Sequence, residues 1–230
     1  MKYAFEPSPV RALPIVGEDV LFPVHRIFCV GRNYAAHARE MGRDPDREPP
    51  FFFMKPAAAL VVANPAAEIP YPPQTSNFHH EIELVVAIGR GGRDIPIESA
   101  LDHVFGYAVG LDMTRRDLQL AARDQGRPWE FGKSFAGSAP IGPLYRPVQV
   151  GHLSNAEISL TVDGEPRQRS DISKLIWSVA ESIAYLSRYE TITEGDLIMT
   201  GTPEGVAAVQ PGQVMRGAIA GLGEIEVRVR

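Results

Sequence analysis

Short apolar runs, each bounded by Gly, Pro or Asp, dominate the hydrophobic pattern of this chain. Two of them, residues 79–89 and 104–113, are rich in β-branched and aromatic residues and therefore predict strands. Side chains of a strand alternate between its two faces, so Glu81 and Glu83 are expected to point the same way. The second run ends at Asp112, which brings a third carboxylate to the end of the other strand.

Helical periodicity is confined to a few segments. Apolar residues at helical spacing predict a helix over residues 173–187, and Thr114 has the features of an N-cap for a second helix that stops at Gly126. Asn33 is a candidate N-cap for a helix of about two turns that ends at Gly42. Because helices are few and the other apolar runs are short, the pattern predicts an α+β fold dominated by β structure.

The two ends of the chain add extended structure to this prediction. Residues 1–24 are rich in proline and predict extended edge segments rather than helix. Residues 158–165 predict a strand that enters an Asp-Gly hairpin turn. In residues 219–230 apolar and charged side chains alternate, which predicts a half-exposed final strand.

Composition excludes several classes of function. The chain has 230 residues, 44% of them hydrophobic and 22% charged, as in an ordinary soluble globular protein. The net charge of −5 is mixed along the sequence, so no nucleic acid or anionic membrane is expected as a partner. Cys29 is the only cysteine, which excludes an intrachain disulfide and predicts a buried, inert thiol. The first residues lack the apolar core of a signal peptide, and a cytoplasmic location is expected.

The acidic residues Glu81, Glu83 and Asp112 are candidate metal ligands. One alternative places the two glutamates on the solvated face of an amphipathic strand, but that face continues into Val85 and Ala87, which indicates a strand buried on both sides. Buried carboxylates this close repel each other unless one is protonated or a cation lies between them. Such oxygen ligands suit Mg²⁺ or Mn²⁺, although the pattern alone leaves both interpretations open.

Other polar residues are candidates for catalysis or binding. His37 and Glu40, three apart on the predicted short helix, could activate water together or form a surface ion pair. Arg116 and Gln119, in the first turns of the next helix, could bind a substrate carboxylate or face solvent. Lys133 lies between aromatic residues and is expected to be partly desolvated.

Two loops and a strand end complete the candidates. Lys55, at the end of an apolar strand, is expected to extend toward solvent. The Gly/Thr/Pro loop around Thr202 could cradle a carboxylate with its N–H groups or form a tight turn. Residues 42–50 predict a charged, proline-rich loop that, with the short helix before it, is a candidate lid. We expect residues 34–48 to be better ordered with ligand bound, as hydrogen exchange would show.

Five ordered segments resemble the fumarylacetoacetate hydrolase family. They are Gly31-Arg32-Asn33-Tyr34 with His37 and Glu40, His80-Glu81-Ile82-Glu83, Gly110-Leu111-Asp112-Met113-Thr114, Lys133-Ser134-Phe135, and Thr200-Gly201-Thr202-Pro203-Glu204-Gly205-Val206. The resemblance extends from about Arg26 to the C-terminus. It implies a mixed β-sandwich roll of the family type with a few short helices, usually a homodimer, in which an extended segment at 1–24 precedes a catalytic domain at 25–230.

The resemblance also implies roles for the candidate residues. The metal ligands would be Glu81, Glu83 and Asp112, which would hold one Mg²⁺ or Mn²⁺ ion per subunit. The catalytic residues would be His37 and Glu40, which activate water, and Lys133, which holds the developing enolate. The substrate contacts would be Arg32, Arg116, Gln119 and Thr202. Two departures from the family pattern, Ala136 and Ala207, bear on substrate fit and loop shape.

The activity that the resemblance implies is metal-dependent hydrolysis of a carbon–carbon bond in a 2,4-dioxo acid. The chain is most similar to short bacterial acylpyruvate hydrolases that split fumarylpyruvate or maleylpyruvate in the gentisate route of aromatic breakdown, a similarity favoured by residues 44–52. One alternative is a decarboxylase or isomerase of 2-oxo dicarboxylic acids, which would need no nucleophilic water. Another is a non-catalytic, metal-dependent binder of small acids, which would have no need of both His37 and Glu40.

Overall fold

The computed structural model describes residues 2–41 and 48–230 of the chain. The predicted loop and lid therefore lie partly outside the described residues, as does Gly42, the predicted end of the first helix. The strands are β1 (Ala12–Pro14), β2 (Leu21–Pro23), β3 (Ile27–Gly31), β4 (Phe51–Lys55), β5 (Leu60–Val62), β6 (Ala66–Ile69), β7 (Phe78–His79), β8 (Ile82–Ile88), β9 (Val104–Leu111), β10 (Thr114–Arg115), β11 (Ala139–Ile141), β12 (Glu157–Val162), β13 (Glu165–Asp171), β14 (Leu197–Met199), β15 (Val214–Ile219) and β16 (Gly223–Val229). The helices are α1 (Ala35–Glu40), α2 (Arg116–Asp124), α3 (Glu130–Lys133), α4 (Pro147–Val150) and α5 (Val179–Tyr189).

Two mixed sheets form the body of the protein. The larger sheet has seven strands in the order β4-β3-β14-β8-β9-β11-β5, and the smaller has five in the order β13-β12-β15-β16-β6. Most neighbours are antiparallel, whereas β14 pairs with β3, β11 with β5 and β16 with β6 in parallel. Short antiparallel pairs join β1 to β2 and β7 to β10. This architecture confirms the predicted α+β fold dominated by β structure.

The main core lies between the two sheets. Ile82 and Leu84 of β8 share one apolar cluster with Met215 and Ile225 of the smaller sheet. The sheets are in close contact at Gly217, where a Cβ atom would lie 2.4 Å from Cδ1 of Ile82. A larger residue there would force the end of the isoleucine side chain to move.

A second apolar cluster covers the outer face of the larger sheet. Val85 of β8 and Cys29 of β3 pack there with Leu13 of β1 and Phe22 of β2. Strand β8 is therefore buried on both faces, as predicted, and the interpretation of a solvated face is wrong. Burial raises the pKa of the Cys29 thiol, which agrees with the prediction of an inert cysteine.

Two predicted helix starts are wrong because tertiary contacts occupy the expected capping residues. Thr114 lies in β10, which pairs with β7, and α2 begins two residues later at Arg116. Asn33 does not cap α1, because its side chain accepts a hydrogen bond from the Trp177 N–H and donates to the Thr200 carbonyl. Tyr34 occupies the N-cap position of α1 instead. The predicted stop of α2 at Gly126 is confirmed, since Gln125 is its C-cap residue.

The long helix also begins later than its apolar spacing predicts. Residues Ile172–Lys174 form a 3-10 turn, and α5 starts only at Val179. Ser178 and Glu181 form a capping box that fixes this start. The predicted Asp-Gly turn and final strand are confirmed as the β12–β13 connection and β16. No helix in the described parts of the chain is long and apolar enough to cross a membrane.

Candidate metal centre

Three buried carboxylates converge at one end of strands β8 and β9. Strand β8 begins at Ile82, so Glu81 precedes the strand instead of lying in it as predicted. The Asp112 N–H donates to the Glu81 carbonyl at 2.8 Å, and Glu83 lies opposite Gly110. One oxygen from each of the three carboxylates lies within 4.8 Å of the other two. The structure thus brings together the three predicted metal ligands.

Two cationic side chains contact these carboxylates from the segments that follow β9. Lys133 Nζ donates to Glu81 Oε2 at 2.8 Å, to Asp112 Oδ2 at 2.6 Å and to Thr114 Oγ1 at 2.7 Å. All three of its donors are therefore engaged by the protein. Arg116 donates to Glu81 Oε1 and to the Gln119 side-chain oxygen. Arg116 and Gln119 are buried, so the interpretation of solvated surface residues is wrong for them. Lys133 is buried too, which agrees with the expected desolvation.

A third cation, Lys55, is a residue of the site that the sequence did not reveal. The expectation that it extends to solvent is wrong, because the side chain is fully buried. Its Nζ lies 2.8 Å from Asp112 Oδ1, donates to the Met113 carbonyl at 3.2 Å and also donates to the Lys133 carbonyl. A lysine at the end of an apolar strand carries no local indication of which way it turns. Its partners lie 57 or more positions away in the sequence, so no local pattern could have identified them.

The carboxylates differ in their electrostatic surroundings. Burial opposes ionisation of Glu81, but Lys133 and Arg116 outweigh it and hold the pKa of this carboxyl well below its usual range. Burial, with Asp112 and Glu81 close by, raises the pKa of Glu83 well above its usual range. The Gly201 N–H, which donates to Glu83 Oε2 at 2.8 Å, offsets this only in part. A crowded, oxygen-only donor set of this kind fits a hard divalent cation.

The predicted pair His37 and Glu40 lies beside the carboxylates. His37 Nδ1 is 3.1 Å from Glu40 Oε2, and the imidazole is buried. The Gly205 N–H approaches Glu40 Oε1 at 3.1 Å and so ties α1 to the loop after β14. The structure therefore contains the predicted pair. The Gly205 N–H, which lies outside α1, orients the Glu40 carboxylate, and Glu40 in turn contacts His37.

The loop after β14 uses its donors on the protein itself. Its Gly201 N–H contacts Glu83, as described above, and thus cradles a protein carboxylate. The Thr202 hydroxyl donates to the Ile82 carbonyl at 2.8 Å and accepts from the Gln168 amide at 2.8 Å. Gln168, which the sequence analysis missed, also receives the Ile82 N–H and contacts His80. Thr202 is therefore held in place by two internal hydrogen bonds.

One cleft connects these groups. Every predicted site residue lines it except Glu40, and His37, the partner of Glu40, is among the lining residues. Arg32 lies at one side with its guanidinium 4.8 Å from the Phe51 ring centre. A concave site with several converging polar groups is typical of a binding site for a small molecule.

Comparisons with known proteins identify the family. The C-terminal domain of fumarylacetoacetate hydrolase matches residues 26–230. The crystal structure of fumarylpyruvate hydrolase from Pseudomonas aeruginosa in complex with Mn²⁺ and pyruvate is 64% identical, with 99% of each chain covered and a TM-score of 0.96. Fumarylpyruvate hydrolase from Ralstonia sp is 46% identical over 82% of this chain and 98% of the relative.

A relative with a different activity is almost as similar. The mitochondrial oxaloacetate tautomerase FAHD1 of Arabidopsis thaliana is 43% identical over 89% of this chain and 90% of the relative. The family match and the fumarylpyruvate hydrolases confirm the predicted class of enzyme, a hydrolase that acts on carbon–carbon bonds. The chain belongs to the fumarylacetoacetate hydrolase family.

Proposed function

We propose that this protein is a divalent-metal-dependent acylpyruvate hydrolase that splits fumarylpyruvate or maleylpyruvate in the gentisate route of aromatic breakdown. The observation that carries the proposal is the convergence of Glu81, Glu83 and Asp112 in the cleft that His37 also lines. The Mn²⁺ and pyruvate in the Pseudomonas aeruginosa neighbour support it, because pyruvate would be one product of this reaction.

The three carboxylates would hold one Mg²⁺ or Mn²⁺ ion, since their donor atoms are all oxygens and lie close enough to share it. When bound, such an ion supplies positive charge that polarises the oxygens of a 2-oxo acid. Lys133, Lys55 and Arg116 pair with the Glu81 and Asp112 carboxylates, and the Gly201 N–H holds Glu83, so all three are ordered before an ion arrives. The protein therefore presents a preorganised site at little further cost in ordering.

His37 and Glu40 would activate the water. If the Nδ1 proton of His37 is donated to Glu40, then Nε2 is the basic nitrogen and can remove a proton from a water molecule. The oxygen of that water forms a bond to C4 of the 2,4-dioxo acid, and the C3–C4 bond then breaks with its electron pair left on C3. The proton that His37 received returns to C3, which yields pyruvate and fumarate or maleate.

The remaining predicted residues would orient the substrate. Arg116 and Gln119 would contact the carboxylate of the pyruvate unit, and Lys133 would balance the negative charge that develops beside it. Arg32, directly after β3, also lines the cleft and would contact the acyl part. Because its hydroxyl is already engaged, Thr202 would offer the substrate only its methyl group and its backbone.

Turnover by the metal-loaded enzyme tests this function. We expect pyruvate release from fumarylpyruvate or maleylpyruvate in the presence of Mg²⁺ or Mn²⁺. We also expect Glu40→Gln to lower kcat by at least about 100-fold, because His37 loses the carboxylate that orients it as the general base. Mn²⁺ binding should be unchanged in this variant, and the matched surface variant Glu165→Gln should retain full activity. Faster release of carbon dioxide from oxaloacetate than of pyruvate from any acylpyruvate would contradict the proposal.

A second candidate function is the isomerisation or decarboxylation of oxaloacetate or a related 2-oxo dicarboxylic acid. The similarity to the oxaloacetate tautomerase of Arabidopsis thaliana supports it, and the same cationic surroundings would stabilise an enolate. This reaction needs no nucleophilic water. Oxaloacetate turnover that survives Glu40→Gln would therefore favour the second candidate over hydrolysis.

The family resemblance also supports a homodimer, with an extended segment at 1–24 and a catalytic domain at 25–230. These three assignments remain predictions. The contacts of β1 and β2 with β3 and β8 show only that the first segment packs on the larger sheet.

A further inference from the structure

Helix α2 presents two different faces. Residues 116, 119, 120 and 123 fall on one side of the helix at 100° per residue, and all four line the catalytic cleft. Residues 118, 121, 122 and 125 fall on the other side and border a separate surface groove. The cleft face therefore carries two arginines, Arg116 at its start and Arg123 near its end.

The two arginines are separated along the wall of the cleft. Arg116 contacts Glu81 at the metal centre, whereas the Cα atom of Arg123 is seven residues further along α2, about 10.5 Å at about 1.5 Å per residue. Leu120 occupies the cleft face between them, and Trp129 lines the same cleft. Along α2 the wall of the cleft is therefore an ion pair at Arg116, then apolar at Leu120, and then positively charged at Arg123.

Arg123 is more accessible than Arg116, whose guanidinium is buried and pairs with Glu81. The Arg123 side chain is 32% exposed, and its ionic partner in the described part of the chain is the adjacent Asp124, with Nη2 to Oδ1 at 2.8 Å. The Asp124 side chain is 64% exposed. A pair this accessible to water contributes little free energy, so a carboxylate arriving in the cleft can compete for the guanidinium.

The spacing fits a dicarboxylic acid with an apolar middle. A seven-carbon 2,4-dioxo diacid places its end carbons about 7.5 Å apart, at about 1.25 Å of advance per bond for standard C–C lengths and angles. With one carboxylate at Arg116, the other falls within reach of the flexible Arg123 side chain. Oxaloacetate, with four carbons, spans only about half that length.

We propose that Arg123 binds the distal carboxylate of the substrate and makes the enzyme selective for long dicarboxylic acylpyruvates over acylpyruvates that end in a methyl group. This inference rests on the proposed function, because it takes the pyruvate unit to lie at the carboxylate cluster. It assigns selectivity to a charge about two helical turns from Arg116.

Paired substrates test this assignment. We expect Arg123→Met to lower kcat/KM for fumarylpyruvate by about 10- to 100-fold, because a charge-assisted hydrogen bond is lost, and to change kcat/KM for acetylpyruvate by less than about twofold. Arg123→Lys should recover part of the loss. Arg127→Met, which removes an exposed arginine outside the cleft, should behave like the unmodified protein. An equal loss for both substrates, or none for either, would overturn the proposal.

Binding without turnover separates this inference from the proposed function. With Mn²⁺ present, the unmodified protein should bind 2-oxoheptanedioate at least about tenfold more tightly than 2-oxoheptanoate, and Arg123→Met should abolish this preference. If neither acylpyruvate is hydrolysed but the preference is found and lost as described, the proposed function fails and the role of Arg123 stands. If hydrolysis is found without the preference, the role of Arg123 fails alone.

Discussion

The Asp112 carboxylate is held by two buried lysines, one on each oxygen. Lys55 lies 2.8 Å from Oδ1 and Lys133 lies 2.6 Å from Oδ2. Lys55 reaches this position from β4, on which it is the last residue, and its ammonium also contacts two backbone carbonyls. A buried charge with a full set of acceptors is tolerated, whereas the same charge without a partner is costly. Lys55 therefore orients a proposed metal ligand without itself contacting the substrate.

The variant Lys55→Met tests this positioning role. We expect it to lower the free energy of unfolding by about 3–5 kcal/mol, because a buried ion pair is broken and Asp112 Oδ1 loses its cationic partner. Mn²⁺ affinity should fall by about 10- to 100-fold, as for other groups that orient a metal ligand. Urea unfolding and Mn²⁺ titration measure the two effects.

Lys174→Met is the matched control, since Lys174 is exposed at the end of a 3-10 turn. It should change the free energy of unfolding by less than about 0.5 kcal/mol. Normal Mn²⁺ affinity in a folded Lys55→Met protein would contradict the positioning role.

At the scale of an element, the loop after β14 joins the two halves of the proposed active site. Gly201, with φ of +98°, donates its N–H to Glu83, and Gly205, with φ of +93°, donates its N–H to Glu40. Both backbone angles lie in the region that favours glycine. The loop thus fixes one carboxylate of the metal centre and the carboxylate that orients His37.

The variant Gly205→Ala should impair the His37–Glu40 dyad and leave the metal centre intact. A Cβ atom there would lie 2.1 Å from the Arg167 carbonyl oxygen, so the loop must move and the hydrogen bond to Glu40 is lost. We expect kcat to fall by at least about tenfold, since the dyad loses its orientation, while Mn²⁺ binding through Gly201 and Glu83 persists. Steady-state kinetics and Mn²⁺ titration measure this.

Gly212→Ala controls for backbone strain alone. Gly212 has φ of +91°, close to that of Gly205, but no atom lies within 4 Å of its added Cβ. We expect it to cost about 1–2 kcal/mol of stability from strain and to leave kcat unchanged. Equal kcat in Gly205→Ala and Gly212→Ala would contradict the proposed link between the loop and the dyad.

The sequence predicted elements well where local patterns determine them. Alternating and continuous apolar runs identified β8, β9 and β16, and the Asp-Gly turn and Gly126 were located because their backbone angles restrict the choice of residue. It failed where a local pattern competes with distant contacts. Asn33 has the composition of an N-cap, yet its amide joins the backbone of Trp177 and Thr200. Contacts between residues so far apart in the sequence form only in the folded sheet, so no local pattern predicts them.

At the scale of the whole molecule, the sandwich creates a site that no single segment contains. Strand β14 lies between β3 in parallel and β8 in antiparallel orientation, which brings residues near positions 30, 83 and 200 to one end of the sheet. Local periodicity cannot specify this order of strands. The ligand set was predicted because five motifs in order resembled a family, whereas Lys55 and Gln168 lie outside those motifs and were missed.

The same assembly buries three carboxylates together. Their mutual repulsion should destabilise the metal-free protein. The pKa of Glu83 is raised above its ordinary value of 4.5, so the folded protein retains this proton at pH values where the unfolded chain has lost it. The contribution of Glu83 to stability therefore falls as the pH rises above about 4.5. Burial lowers the pKa of His79 to about 4 and also lowers that of His80, so these two groups act in the opposite direction up to the ordinary histidine pKa of 6.5. The slope is at most about 1.4 kcal/mol per pH unit for one group.

Urea unfolding between pH 5 and pH 8, with a chelator or with Mn²⁺, tests this prediction. Relative to Glu83→Gln, which cannot ionise at this position, the chelated unmodified protein should lose stability as the pH rises, and this comparison cancels the contribution of the histidines. Mn²⁺ at about 100 times its Kd at pH 5 should stabilise the unmodified protein by about 2.7 kcal/mol, and the same Mn²⁺ concentration should stabilise it more at pH 8, because ligands bind metal in their deprotonated form. Glu83→Gln should gain little from Mn²⁺, whereas the exposed control Glu165→Gln should match the unmodified protein. Equal stabilisation of Glu83→Gln by Mn²⁺ would exclude Glu83 as a ligand, since the ion would then be bound without its carboxylate.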